Sequence, residues 1–313
     1  MLGNRLAYVA LVVDDPLAAA DGMARDLGLS RVDLRAGGEA RPVPVLPVGR
    51  TALALFAPGD PFVDGARRTG VHHVALAADD LREAAGAATV AGVAVAARLP
   101  APGLGDARRL PLAAEATAGV RTWLSEPLAI PAAAGGPVER IDHLGVASAD
   151  NDPALDVFVR RLGCALESTQ TDLEVTIAVE SFTSDRYGVV HHTREPRVVG
   201  GLRVAFVTVG DCELEFLQEL DPRTGARVEP GGPGTTRQDQ GAIGRYVASH
   251  GAGLHHLALK VADIEATLGT LARAGRRLID ATGRPGSRRA RIAFVHPRGF
   301  HGVLMHLVQR EGA

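Results

Sequence analysis

The sequence predicts an α+β protein of four βαβββ modules, paired two by two into two domains. Three observations predict it. Four segments repeat one plan, in which an apolar strand passes an Asp into a helix that closes at a Gly: Leu6 to Gly28, Val71 to Gly92, Ile141 to Gly163 and Leu254 to Gly275. After each helix come short β-rich runs divided by Gly, Pro and Asp, such as Leu202 to Thr208 and Cys212 to Gln218. The length of 313 residues suits two domains with ample core.

Each element has a local reason. Asp15, Asp80, Asp152 and Asp263 are the expected N-caps, because a carboxylate there accepts the unpaired N–H groups of a first helical turn. Pro16 and Pro153 are expected at the first helical position, where an N–H has no partner anyway. The closing glycines suit the left-handed residue that ends a helix. Two modules per domain divide the chain into residues 1–135 and 139–313.

Aligning the halves separates two kinds of site. His256 precedes His306 by 50 residues, and His73 precedes Trp123 by the same 50. Tyr8 in LAYVAL matches His143 in IDHLGV, and Ala54 in GRTALAL matches Glu215 in GDCELEF. The second half thus reads His143, Glu215, His256 and His306; the first reads Tyr8, Ala54, His73 and Trp123, which cannot hold a metal tightly. Three imidazoles and a carboxylate suit one divalent ion of Zn, Fe, Co, Ni or Mn, with geometry selecting among them. Strict alternation along a strand sends Glu213 and Glu215 to one face, and His256 and His255 to opposite faces. His73, lacking partners, reads as structural, and His255, His72, His191, His192, His296 and His301 as hydrogen-bonding or exposed residues.

The stretches IDHLGVA (141 to 147), GDCELEFLQEL (210 to 220), GLHHLALKVADIEA (253 to 266), RLIDATGRPGSRRARIAFVHP (277 to 297) and GVLMHLVQ (302 to 309) resemble methylmalonyl-CoA epimerase, within the vicinal oxygen chelate superfamily of glyoxalases, bleomycin-resistance proteins and dioxygenases. The resemblance covers residues 139 to 310. It implies that paired βαβββ modules form a U-shaped mixed sheet around one metal, with His143, Glu215, His256 and His306 on ligand positions. The family usually has Glu where this chain has His306, and in glyoxalase I that Glu is thought to move protons. Glu215 and His306 are therefore the implied catalytic pair. The implied chemistry is that of an epimerase, isomerase or lyase, in which a metal eases proton removal next to a carbonyl and a base carries the proton. Candidate bases besides Glu215 are Glu174, Glu180, Asp185 and His191.

Two rival readings accompany this one. An Fe(II) dioxygenase would use two His and one carboxylate, and here the carboxylate would be Glu215. A small-molecule binding or resistance protein would use the trough without a metal, and such proteins commonly lack the donor set kept in this second half. The degenerate first half reads as scaffold.

Insertions and charge narrow the partners. Tyr8 to Ala54 spans 46 positions and His143 to Glu215 spans 72, so the third module carries about 26 added residues, TDLEVTIAVESFTSDRYGVVHHTREP. That run suits a lid, a substrate wall or a surface hairpin. Asp221 to Gly241 is a second long connection that suits a site cover or a linker. Arg284, Arg288 and Arg289 in RPGSRRAR are candidate substrate contacts, for instance to the phosphates of an acyl-CoA, or else a solvated turn. With 34 basic and 36 acidic residues there is no basic field to draw nucleic acid. Two cysteines, Cys164 and Cys212, are too few for a disulfide framework and fit a reducing cytoplasm. No apolar run is long enough for a membrane span or a signal peptide. Related proteins often dimerise, so the resemblance admits a homodimer.

Overall fold

The computed structural model describes residues 5–39, 41–220 and 241–310. The first half folds as β1 (Leu6–Val12), α1 (Pro16–Leu27), β2 (Val32–Arg35), β3 (Pro42–Val48), β4 (Thr51–Phe56), β5 (Gly70–Ala77), α2 (Leu81–Val90), β6 (Ala101–Pro102), β7 (Arg108–Pro111) and β8 (Thr122–Ser125). The second half runs β9 (Val138–Ser148), α3 (Asn151–Leu155), β10 (Ala165–Thr176), β11 (Val179–Ser184), β12 (Gly188–Thr193), β13 (Arg197–Val209), β14 (Cys212–Glu219), α4 (Ala242–His250), β15 (Gly253–Val261), α5 (Ile264–Arg273), β16 (Arg284–Pro285), β17 (Arg291–Val295) and β18 (Met305–Gln309).

The expected α+β architecture of four βαβββ modules is present as two curled, eight-stranded mixed sheets. Their strand orders are the same pattern twice: β2-β3-β4-β1-β5-β8-β7-β6, then β10-β13-β14-β9-β15-β18-β17-β16. The register repeats too. Ala10 faces Ala54 and His73 in the first sheet, as Gly145 faces Glu215 and His256 in the second. Ala75 faces Trp123 as Ala258 faces His306.

Three caps form as expected: Asp15, Asp80 and Asp263 accept hydrogen bonds from first-turn N–H groups, and Pro16 opens α1. The third differs. Asp150, not Asp152, caps α3, so Pro153 is its third residue. The run ADNDP offers two acids, and the earlier one wins because Asn151 is drawn into the helix by bonds between its side chain and the carbonyls of Arg203 and Phe216. The added run of the third module extends β10 and β13 and ends in the separate hairpin β11–β12, which is exposed along β12 and most of β11. The connection 221–240 lies outside the described residues.

On their helical sides the two halves merge into one apolar cluster, joining Met23 and Leu27 of α1 to Leu268 and Leu271 of α5. Asp26, 5% exposed, receives Arg276 of the other half at 2.7 Å within this seam. The opposite faces form two troughs. The first is filled by Tyr8, Phe56, Phe62 and Trp123, while the second holds two smaller apolar clusters, around Phe206 and around Ile292. Among the described residues no helix is long and apolar enough to cross a membrane.

Candidate metal centre

Strands β14, β9, β15 and β18 are neighbours in that order, and each contributes one donor to the second trough. His143 Nε2 lies 3.2 Å from Glu215 Oε2, 3.4 Å from His256 Nε2 and 3.2 Å from His306 Nδ1. Glu215 Oε2 is also 3.6 Å from His256 Nε2. The three histidines can each offer a nitrogen within 4.8 Å of the others. All four side chains are buried, keeping between 3% and 7% exposure.

Whether these residues fit a cation can be tested on their spacing and lone pairs. Two donors about 2.1 Å from one ion, at angles near 90–110°, stand roughly 3.0–3.4 Å apart. The contacts around His143 match that separation. The proton of His143 is directed elsewhere, because its Nδ1 lies 2.8 Å from Asp142 Oδ1. That carboxylate is wholly buried and held by Arg310 at 2.9 and 2.5 Å. A neutral His143 therefore aims an Nε2 lone pair at two more imidazole nitrogens and a carboxylate. That arrangement fits a positive charge at their common point. His306 Nε2, in addition, is buried without a partner.

Without a metal, a proton supplies that charge. Burial opposes protonation of His143, but Glu215 and then Asp142 outweigh it and raise its pKa to about 9. Burial likewise pushes Glu215 up, yet His143 and His256 hold it well below the usual carboxylate range. His256 is lowered chiefly by burial, and His306 is pushed well down by burial and by its two histidine neighbours. Both stay neutral, the state in which imidazole binds metal.

Strict alternation fails beside two donors. The β9–β15 pairing skips Asp142 and skips His255, so each is the extra residue of a β-bulge. The bulges re-aim side chains: Asp142 reaches the ring of its neighbour His143, and His255 Nδ1 lies 3.1 Å from His256 Nδ1. Asp142, Arg310 and His255 thus orient the donors from behind, as partners of metal-binding histidines commonly do. A fourth supporting residue is Gly145. A Cβ there would stand 2.0 Å from His256 Cε1, so the ring occupies the space a side chain would need.

The other expected residues are scattered. Arg288 gives its fork to Glu213, at 3.0 and 2.5 Å, and reaches Glu167 at 3.0 Å. Arg284 pairs with Asp280 at 3.2 Å, and Arg289 is exposed at the turn. Glu180, Asp185 and His191 sit on the β11–β12 hairpin, where Glu180 pairs with Arg194. The side chain of Glu174 lies outside the described residues. His296 caps a short helical turn by accepting from Arg298 N at 3.0 Å. A cleft of about 600 Å³ between the halves is lined by His72, Arg121, Tyr246 and His255, and none of the four donors lines it.

In the first half, His73 stacks on Trp123 with ring centroids 3.6 Å apart, and its Nε2 lies 3.3 Å from Tyr8 Oη. Arg109 covers Trp123 and Phe62, at 4.1 Å from each ring. One imidazole amid aromatic rings is no metal site.

Residues 142–294 match the model of the Glyoxalase/Bleomycin resistance protein/Dioxygenase superfamily. The chain's second half belongs to that superfamily. Along the whole chain the fold is similar to a mutant 4-hydroxymandelate synthase from Streptomyces coelicolor, at 18% identity and a TM-score of 0.65, covering 100% of this chain and 94% of that one. An uncharacterized protein of Bacillus subtilis (strain 168), YqjC, is 24% identical over 175 residues, or 56% of this chain and 95% of that protein. The mitochondrial methylmalonyl-CoA epimerase of Dictyostelium discoideum is 36% identical over 58 residues, 18% of this chain and 35% of the epimerase. Members of the superfamily are mostly metal-dependent enzymes.

Proposed function

We propose that the second half is a metal-dependent epimerase, isomerase or lyase that moves a proton next to the carbonyl of a small substrate, an acyl-CoA among the candidates. The observation that carries this reading is the convergence of three imidazoles and one carboxylate, from four adjacent strands, on one buried point. His143, His256 and His306 would hold a single divalent cation. When bound, such a cation supplies polarisation of a carbonyl oxygen, which acidifies the neighbouring C–H.

Glu215 then has a part of its own. It touches His143 and His256 but lies outside the group of three histidines. With three imidazoles sufficient to retain a cation, its carboxylate can serve as the base, His306 completing the catalytic pair. We further propose that residues 1–135 are a scaffold domain and 139–313 the active one, and that substrate enters past the turn carrying Arg284, Arg288 and Arg289. Metal-dependent exchange of a substrate C–H with solvent deuterium, across acyl-CoA and 2-hydroxyketone panels, is the test. No exchange with a metal-loaded protein would remove this reading.

One observation favours a second reading. His143, His256 and Glu215 are mutual neighbours, the two-His, one-carboxylate set of Fe(II) oxygenases. Oxygen uptake by the anaerobically iron-loaded protein with catechols or 2-oxo acids separates the two.

A further inference from the structure

We propose that the turn Arg284–Ala290 is a gate over the metal centre, latched by side chains where the first half is closed by backbone. This rests on the metal reading above.

The two halves can be compared position by position. Pro111 faces Trp123 as Phe294 faces His306, which sets Leu104 equivalent to Ser287 and Gly105 equivalent to Arg288. Val32, Val45 and Ala54 are linked in register as Ser168, Phe206 and Glu215 are, which sets Ala36 equivalent to Asp172. In the first half, Ala36 and Leu104 form a β-bridge across the mouth of the trough. Gly37 N donates to Gly103 O and Gly105 N to Arg35 O, both at 2.8 Å. That sheet is sewn shut by main chain.

In the second half the equivalent pair meets only through side chains, Ser287 Oγ donating to Asp172 Oδ2 at 3.1 Å. Next to it, Arg288 bridges Glu167 of β10 and Glu213 of β14, with its guanidinium 3.7 Å over the ring of Phe206. Among the described residues no backbone hydrogen bond joins this turn to β10. The contacts cross from one end of the curled sheet to the other, and the four donors on the strands between are almost wholly buried. A substrate therefore needs an opening.

The turn also carries strain in the closed state. Arg288 and Arg289 both adopt left-handed backbone, φ 55° and 57°, whereas Gly105, equivalent to Arg288, has the same φ of 59° without a side chain to oppose it. Arg288 Nε and Arg284 Nη1 are buried without partners. Ionic contacts acting against backbone strain make a reversible closure, and one that salt weakens.

The test compares full-length wild type with Ser287→Ala and Arg288→Gln. Each is loaded with Co²⁺, and the metal is extracted with EDTA. We expect extraction about tenfold faster from Arg288→Gln, with a smaller acceleration in Ser287→Ala. Molar NaCl should accelerate wild type more than Arg288→Gln. Amide hydrogen exchange across residues 284–291 is read in parallel on the metal-free proteins and should rise in both variants. Unchanged extraction from variants that retain the metal, with unchanged amide protection, overturns the gate. Should wild type bind no metal, the metal reading fails, and amide exchange alone decides whether the latch exists.

Discussion

The two troughs share a strand order and a register but have opposite contents. The first buries Tyr8, His73, Phe62 and Trp123 in mutual ring contacts, with Ala10 and Ala54 beneath them. The second keeps Gly145 and Glu215 at the positions of those two alanines, and three imidazoles stand where Tyr8, His73 and Trp123 stand in the first. A filled trough contributes core, and its closing bridge can be permanent. A trough lined with polar groups gives up that packing, and what it gains is a point where four donors meet. A donor set depends on what surrounds it as much as on the donors: His73 has its own repeat position intact and has nothing to share a metal with.

The largest effect that could break this contrast is loss of the metal. Elemental analysis of untagged protein should find about one cation per chain in wild type and none in His143→Ala or His256→Ala, while His73→Ala keeps it. Gly145→Ala places the first half's residue in the second half. It should abolish binding with every donor still present, because the new Cβ would occupy the place of the His256 ring. Metal retained in Gly145→Ala would mean that the ring has another seat.

The first trough is tested by stability instead. Trp123 is 3% exposed and packs on His73 and Phe62, so Trp123→Ala should cost about 3–5 kcal/mol in urea unfolding. Metal content of the folded fraction should not change. A large loss of metal in this variant would show that the halves are coupled through their shared helical core rather than divided in labour.

Much of this was legible in the sequence, for reasons that also mark its limits. The repeat of strand, Asp, helix and Gly reports local chemistry, and the 50-residue spacing shared by His73–Trp123 and His256–His306 carries the donors through the fold. Reading further required strands to alternate, and that assumption breaks at Asp142 and His255, where one extra residue enters the pairing. The sequence does place Asp142 directly before His143 in the run IDH, but only a bulge lets neighbours in sequence touch. Gly145 gave no signal, since a glycine in a strand does not announce which ring lies above it. In the sequence Arg288 reads as a substrate contact or part of a solvated turn, because its partners, Glu167 and Glu213, are distant along the chain. Helix α3 starts two residues earlier than local propensity places it, because Asn151 gains its bonds from β13 and β14.

A smaller effect sharpens the role of the bulge. Asp142→Asn keeps the shape and a hydrogen-bonding oxygen but removes the charge that fixes His143 Nδ1 as the proton-bearing nitrogen. Metal affinity should fall by about 10–100-fold, measured by competition with a chromophoric chelator. The matching position in the first half is the bulge residue Ala7, and Ala7→Ser should leave metal affinity unchanged. An Asp142→Asn protein that binds as tightly as wild type would reduce Asp142 to a partner of Arg310.

The smallest effect is a pH dependence of opposite sign at two histidines, one in each half. In the metal-free chain the pKa of His143 is raised to about 9 from 6.5, so its contribution to stability is full below about 6.5 and is lost as pH rises through 9. His72 is lowered to about 4, first by burial and then by Arg121, so its contribution is present above 6.5 and is lost as pH falls through 4. Metal-free protein should therefore show thermal melting that weakens on both the acid and the alkaline side. Saturating metal takes the place of the proton on His143 and should erase the alkaline limb, with affinity rising about tenfold per unit up to pH 9. His72→Gln should shrink the acid limb alone. If metal leaves the alkaline limb as it was, the proton on His143 and the metal do not share one seat, and the second trough must be reread as a hydrogen-bonded histidine cluster like the first.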